Sequence, residues 1–475
     1  MTTTTQTPQR ASRLSPAAMH ALAAGVGEIS RFPGVDELLT QFDTLVEQYP
    51  DLAASRRIGT SRLGEPIPAI TVGTGPRQHL IVGGVHPNEP VGGLSAFHLA
   101  RLLCENSQLR DDLDASWTFV PCIDPDGMRL NEGWFADPAD RIRYFASFYR
   151  PAPEEQVEWS FPFAYKTCYF DAVLPETAAF MRLIDSLEPD LLVSLHNSEL
   201  GGAYYYLSRP VGDLADRLRS VAGQVGLALH VGEPEAPWLE EIAPAVFNET
   251  TSQDAYEYLE SVGEDPRTHI AGASSADYTR RYGTLCMVAE APQWTHPDAD
   301  DETPSGRTYA DVLRSTGAEL SALAELIVPA LQRAEPLLKV DSPYLRASRK
   351  FVPMMGQDGA MWLQRAQAQD PDRIATVAEV FSCADTVRMF RLRFGGMLLR
   401  ALAVEVDAGI APVELRRLHA ELAAHYADWE AEARRAVAVP VPLHRLAGLQ
   451  VGSILHSAAV LALGEHSTDN AERAD

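Results

Sequence analysis

The chain is 475 residues long and 46% hydrophobic, with 65 acidic against 40 basic residues and a formal net charge of −25. This length and apolar share allow one large core and a second, smaller one, and they exclude disordered, collagen-like and small disulfide-stapled classes. The negative surplus argues against non-specific binding to nucleic acid or to an anionic membrane, so neither is expected as a partner.

The N-terminal stretch MTTTTQTPQRASRLSPAAMHALAAG is Thr-rich and lacks the apolar core of a signal peptide, and residues 1–30 are expected to form a flexible tail. From Arg31 to about Pro336, apolar strand-like runs alternate with helical patterns, the signature of an α/β domain. ELLTQFDTLVEQYP reads as an amphipathic helix, with Leu38, Phe42 and Val46 on one face and Pro50 ending it. AITVG, HLIVGGV, SWTFVPCI, DLLVSLH and TLCMVAEAP read as buried strands, because they are apolar throughout and do not alternate strictly. Leu174–Leu187 is a helix with a proline near its start. YYY at Tyr204–Tyr206 reads as an aromatic strand. EPLLKVDSPYLRASRK holds turn signals and reads as a linker into an almost continuous helical segment. In that segment Leu415, Leu418, Leu422, Tyr426 and Trp429 form one stripe at spacings of three and four. The last apolar run, VGSILHSAAVLALG, falls short of the ~20 residues a membrane span needs. The five cysteines are scattered and never in a C-x-x-C pair. That pattern fits a reducing compartment, here the cytoplasm, and offers no cysteine metal site.

Chemistry concentrates where strands end. In LIVGGVHPNEPVGG, His86 and Glu89 stand three residues apart on a turn stiffened by Pro87 and Pro90. An imidazole nitrogen and a carboxylate held in this way can converge on one cation. A catalytic zinc needs a third ligand and an open position, and His196, at the end of DLLVSLH, is the best candidate. Glu290, at the end of a further strand in TLCMVAEAP, is placed to take a proton from water and deliver it to a leaving amine.

HPNE, DPDG, SLHN and VAEAP, in that order, resemble the zinc carboxypeptidase family related to carboxypeptidase A. The approach YPDLAASRRIGTSRLGEPIPAITVG is similar to the family's opening as well. The resemblance covers roughly Arg31 to Pro336. It implies a three-layer α/β/α sandwich with a mixed central sheet, one zinc per chain held by His86, Glu89 and His196, and Glu290 as general base and acid. It also implies an arginine that polarises the scissile carbonyl, for which Arg129, after Asp124-Pro125-Asp126-Gly127, is the first candidate, with Arg141 and Arg143 as rivals. The family's Asn-Arg pair, which grips the substrate's terminal carboxylate, is missing. VEWSFPFAYK stands in its place and offers only Lys166 as a point charge. Counting back from Glu290, His269 takes the position of the tyrosine that covers the substrate in the family.

The expected organisation is therefore a flexible tail over 1–30, a zinc carboxypeptidase-like catalytic domain over 31–338, and an all-helical C-terminal domain over 339–475. The expected activity is zinc-dependent hydrolysis of a C-terminal peptide or peptide-like amide bond, with a peptide or peptide-like small molecule as substrate. An N-acyl amino acid deacylase of the aspartoacylase and succinylglutamate desuccinylase kind, sharing the same metal logic, is the alternative. A catalytically silent binding module is a third reading. No feature of the sequence fixes an oligomeric state.

Overall fold

The computed structural model describes residues 6–464. Its centre is a nine-stranded mixed sheet made of β1 (Ala53–Thr60), β2 (Pro66–Val72), β3 (Arg77–Val82), β4 (Ala115–Val120), β5 (Leu191–His196), β6 (Tyr204–Leu207), β7 (Glu241–Ala243), β8 (Val246–Asn248) and β9 (Leu285–Glu290), in the spatial order β1-β2-β4-β3-β5-β9-β6-β8-β7. β4, β3, β5 and β9 run parallel to one another, and antiparallel pairs flank them on both sides. Every residue of β4, β5 and β9 is buried. Parallel strands covered on both faces read as continuous apolar runs, which is why these were legible.

The pleat sends alternate residues to opposite faces. Ile81, Leu191, Val193, Leu195, Leu285 and Met287 enter the main core, while Leu80, Val82, Leu192 and Cys286 enter a second one. Continuing the alternation places Ser194 and His196 of β5, and Val288 and Glu290 of β9, on the second face, just past its apolar floor.

Helices complete the layers. The principal ones, in chain order, are α1 (Gln6–Arg13), α2 (Pro16–Ala23), α3 (Val35–Gln48), α4 (Val91–Glu105), α5 (Pro175–Leu187), α6 (Leu214–Gln224), α7 (Tyr309–Ala334), α8 (Pro343–Ala368), α9 (Val377–Phe390), α10 (Val413–Arg435) and α11 (Leu443–Leu463), with further helices such as Ser252–Ser261 and Gly396–Asp407 between them. In α3 the buried stripe is Val35, Leu38, Phe42 and Leu45, with Val46 partly buried against the same core. Helix α5 covers the second face through Phe180, Leu183 and Ile184. In α10, Leu415, Leu418, Leu422 and Tyr426 are buried, as their spacing predicts. The expected linker is shorter than its turn signals suggest, because Pro343 sits in the first turn of α8, where its missing N–H costs nothing.

Two expectations about domain organisation are corrected. Most of the N-terminal tail is ordered: α1 and α2 pack on the domain, with Leu14 and Met19 fully buried and the Arg13 guanidinium paired to Asp112 at 2.5 Å. Residues 1–5 of that expected tail lie outside the described residues. The helical segment after residue 338 is also not a separate body, since its last helix belongs to the sheet's main core. Helix α11 packs on α2, α4, α6, β5 and β9. By length and composition it is apolar enough to cross a membrane, but 89% of its most apolar stretch is buried in the fold. Gly448 and Gly452 permit the approach, because a Cβ at Gly452 would lie 2.8 Å from Val221 and 2.9 Å from Ala23.

Leu446, Leu449, Ile454, Leu455 and Val460 of α11 are fully buried. At about 2 kcal/mol per side chain their burial is worth on the order of 10 kcal/mol, comparable to the whole stability of a domain. A chain ending after Pro442 should therefore lose its cooperative thermal transition and its near-UV circular dichroism. A truncated chain melting at the full-length temperature would show that α11 is dispensable to the fold.

Candidate metal centre

β3, β5 and β9 end at the same edge of the sheet, and the candidate ligands leave from there. After Val82 the chain turns through Gly83 and Gly84. Gly84 has φ +65°, and a Cβ at Gly83 would sit 2.7 Å from both Gly93 N and Pro121 O. Only glycine fits this pair of constraints. The chain then runs through His86-Pro87-Asn88-Glu89 into α4, where Pro90 is the N-terminal cap and the helix dipole favours an anion at Glu89. His196 closes β5 and Glu290 closes β9, and the two are direct neighbours in the parallel register.

Three buried side chains meet at one point. His86 Nδ1 lies 3.2 Å from Glu89 Oε2, His196 Nδ1 lies 3.0 Å from the same oxygen, and the two Nδ1 atoms are 3.0 Å apart. These three are the set of His, Cys, Asp and Glu among the described residues that is close enough to hold a metal ion. In a tetrahedral site with arms of 2.0–2.2 Å, ligand atoms stand about 3.4 Å apart, so the triangle needs only slight opening to accept zinc. The donor chemistry fits as well. Two imidazole nitrogens and one carboxylate oxygen make an open catalytic set rather than a closed structural one. His196 turns Nδ1 to the cluster, which leaves Nε2–H to donate to Ser194 Oγ at 3.0 Å and fixes the ring. Ser194 Oγ lies 3.4 Å from Glu158 Oε2, and Glu158 also accepts from the backbone N–H and hydroxyl of Ser275.

The electrostatics follow from burial. It pushes the His86 imidazole down to about 3, with Arg150 adding to the effect, so His86 presents a neutral ring. Burial opposes ionisation of Glu89, but His86, His196 and Arg150 together hold its carboxyl well below the usual range. For His196 burial is outweighed by Glu89, Glu290 and Glu158, which raise the ring to about 9. Burial lifts Glu290 well above the usual carboxylate range; Glu235 and Glu89 add to this, against His196 and Arg150. Glu290 Oε1 stands 3.9 Å from His196 Nδ1.

The site opens into a cavity of about 680 Å³ lined by His86, Glu89, His196, Glu290, Arg150 and His269, among others. The structure therefore brings His269 to the cavity together with the four central residues. Two other expected site residues lie elsewhere. Arg129 is not in the cavity lining; its guanidinium is taken up by Asp36 at 2.6 Å and Glu65 at 2.8 Å on the outer side of the fold. Those two carboxylates satisfy its charge where it stands. Lys166 occupies the tip of a hairpin joining Phe163–Tyr165 to Cys168–Phe170, at φ +45°, with its ammonium between Glu257 and Glu260. Its side chain is 38% exposed, and it does not line the cavity. Arg141 is buried between Glu199 and Asp385, and Arg143 donates to the Gly133 carbonyl.

The cation that does face the cluster is Arg150, whose Nη1 is 3.3 Å from Glu89 Oε1 and whose Nε donates to Gln156 at 3.2 Å. Its position in FYRPAP carries no motif, and only a distance to Glu89 could have found it. Glu158 was equally hidden, inside the VEWSFPFAYK stretch that stands out for lacking an arginine. Gln450 of α11 was also missed; fully buried, it donates to the main-chain carbonyl of His196 at 2.7 Å.

The cluster predicts a proton count. At pH 7.5, below the value of about 9 for His196, a metal ion must displace the proton that Glu89 holds on that ring. Zinc titrated into chelator-stripped protein should bind at about one ion per chain and release about one proton, read by calorimetry in buffers of different ionisation heat. His196→Ala should bind no stoichiometric zinc. Full zinc content in that variant would remove His196 from the ligand set.

The described geometry can be set beside known proteins. A family model for zinc carboxypeptidases matches residues 38–280, just over half of the chain. Carboxypeptidase E of Caenorhabditis elegans is 28% identical over 119 residues, covering 22% of this chain and 25% of that protein. Carboxypeptidase B of Astacus astacus is 29% identical over 97 residues, covering 19% of this chain and 32% of that one. The chain thus spans only a quarter to a third of the length of these curated relatives. Among solved structures, carboxypeptidase A from Helicoverpa armigera overlaps with a TM-score of 0.38 at 14% identity, over 76% of this chain and 80% of that one. A metallo-carboxypeptidase from Burkholderia cenocepacia gives 0.33 at 17% identity, over 54% and 59%. These overlaps are too loose to add to the fold described above. The match to the family model does not depend on them, and on that match the chain belongs to the zinc carboxypeptidase family.

Proposed function

We infer that the protein is a hydrolase that uses zinc to cleave a C-terminal peptide or peptide-like amide bond. One observation carries the reading: Glu290 stands in register beside His196, on the face that holds the metal-type cluster, with Arg150 against the same cluster through Glu89 Oε1. His86, Glu89 and His196 would hold the ion, which when bound supplies a Lewis acid for the scissile carbonyl and acidifies water. Glu290 accepts the proton of the attacking water on a carboxylate oxygen and passes it to the leaving nitrogen. Its raised proton affinity suits both halves of that task. Arg150 offers N–H groups to the oxygen on which charge develops. Ser194 and Glu158 keep the His196 ring from turning, and Gln450 holds its backbone.

The clamp for a terminal carboxylate is the point at which peptide cleavage and acyl-amino-acid cleavage divide. Of the arginines that line the cavity, Arg365 is paired to Glu233 and Arg393 to Glu199 at 2.8 Å, which leaves Arg150 with only long contacts. One available guanidinium serves a single anionic group, which keeps the N-acyl amino acid deacylase reading in view. Turnover of matched substrates, an acyl dipeptide against an acyl amino acid, separates the two.

Glu290→Gln should keep metal and fold yet lose ~10²–10⁴-fold in kcat, since the amide is nearly isosteric but accepts no proton. Arg150→Met should lose about 10²-fold or more in kcat/KM, the usual scale for removing an oxyanion donor. Arg129→Ala should stay within a few-fold of wild type. A large loss at Arg129 together with none at Arg150 would reverse the assignment of the carbonyl-polarising arginine.

A further inference from the structure

Arg150 reaches the cluster from a strap of chain, residues 148–156, that contains neither strand nor α-helix. The strap is gripped first from within the family-matched span. Asn131 donates its side-chain amide to the Tyr149 carbonyl at 2.9 Å and accepts from the Tyr149 N–H at 2.9 Å. Gln156 closes the strap on itself, accepting from Arg150 Nε and donating to the Pro151 carbonyl at 2.9 Å. Pro151 restricts the backbone of the residue before it, which is Arg150. A shift at Phe148 is therefore passed along to Arg150, with few torsions to absorb it.

A second grip comes from helices beyond residue 280, where the family match ends. Arg400, on the helix Gly396–Asp407, donates from Nη2 to the Phe148 carbonyl and is the one donor to it among the described residues. Arg393, in the π-helical turn just before that helix, lies over the Phe148 ring at 4.8 Å. Tyr344 of α8 stands edge-on to the Tyr149 ring at 5.5 Å, and the Arg400 guanidinium lies over the Tyr344 ring at 4.7 Å. Close packing on α10 fixes the rotation of the helix: a Cβ at Gly395 would lie 2.5 Å from the Trp429 ring, and one at Gly396 3.0 Å from the Tyr426 ring. Arg141, Arg365 and Arg393 each pair with a carboxylate, whereas Arg400 has no such partner among the described residues. Its donors go to the Phe148 and Gly396 carbonyls instead, so charge pairing does not account for it. Ion pairs also join the strap to α8, Arg346 to Glu155 at 2.8 Å and Lys350 to Glu154 at 2.6 Å, but pairs so open to solvent contribute little. The grip that decides is the one on the Phe148 carbonyl.

We propose that Arg400 is a positioning residue, which holds the strap at the Phe148 carbonyl so that Arg150 meets the cluster. The site then depends on a helix outside the family-matched span. The effect on turnover rests on the hydrolase reading above; the placement of Arg150 by Arg400 does not. Charge on the substrate oxygen develops only in the transition state, so a displaced Arg150 lowers kcat and leaves ground-state binding nearly intact. A displacement of about 1 Å is enough for a large loss.

The test is a double-mutant cycle on the full chain with zinc bound. Arg400→Met should lose about tenfold or more in kcat, with KM within about threefold of wild type. In an Arg150→Met background the same substitution should change kcat by less than about threefold, because the group it positions is gone. An unchanged kcat in the single variant, an equal loss in both backgrounds, or a loss carried by KM alone would overturn the proposal. A crystal structure of zinc-bound Arg400→Met gives a readout that needs no turnover. In it the contact between Arg150 and Glu89 should open by about 1 Å or more relative to wild type, and an unmoved Arg150 would overturn the proposal. If Arg400→Met does not fold, Arg400→Gln, which stays polar but falls short of the carbonyl, takes its place with the same outcomes. Movement of Arg150 in a protein that hydrolyses no amide would retain the positioning role and discard the hydrolase. Amide hydrolysis with Arg150 unmoved would do the reverse.

Discussion

Glu89 carries a negative charge into the interior, and much of the surrounding structure answers that one placement. A buried carboxylate is tolerated only where positive charge or donors surround it. Here the N-terminus of α4, the rings of His86 and His196 and the guanidinium of Arg150 all converge on it. The same convergence makes a cation the natural occupant. Because His86 and Glu89 leave from one strand end and His196 from the next, the cluster exists only if β3 and β5 keep their parallel register. That register is fixed by apolar residues that enter two different cores from alternate positions, so a slip of one residue would send His196 to the wrong face.

Around the cluster, polar side chains hold the ligands rather than contribute ligands of their own. Ser194 and Glu158 orient the His196 ring, and Arg141 and Arg393 fix Glu199 three residues further on. Arg141 also reaches Asp385 on α9, so the helical segment is tied to the loop that follows a metal-type ligand. Its contribution is to shape the cavity wall and to support the site's backbone. A family domain alone would leave that wall open.

What could be read from the sequence follows a physical divide. The central strands and the four residues at their ends were visible because buried parallel strands are apolar along their whole length, and a charged residue at their close stands out. Glu290, His196, His86 and Glu89 all carry that contrast. Distance from Gly127 along the chain points to Arg129 as the carbonyl-side arginine, but its charge is taken up by Asp36 and Glu65. Lys166 is the cation in the stretch that lacks an arginine, yet a two-residue hairpin turns it outward to Glu257 and Glu260. The C-terminal helix reads as an apolar run of uncertain place. Nothing local reveals that Gln450 inside it would meet a carbonyl 254 residues upstream. Contacts of this range leave no periodicity to detect.

That contact has a consequence for the order in which the molecule comes into being. Gln450 and the rest of α11 leave the ribosome hundreds of residues after β3 and β5. Until then the main core lacks one wall and the His196 carbonyl lacks its donor, so the earlier strands wait as an unfinished sheet with apolar surface uncovered. Closure of so distant a contact is slow relative to local helix formation, and intermediates of this kind are prone to aggregate or to recruit chaperones. The support of the His196 carbonyl is therefore completed only once α11 has been made. A chain that stops short of residue 443 carries His86, Glu89 and His196 without the donor that holds the His196 carbonyl.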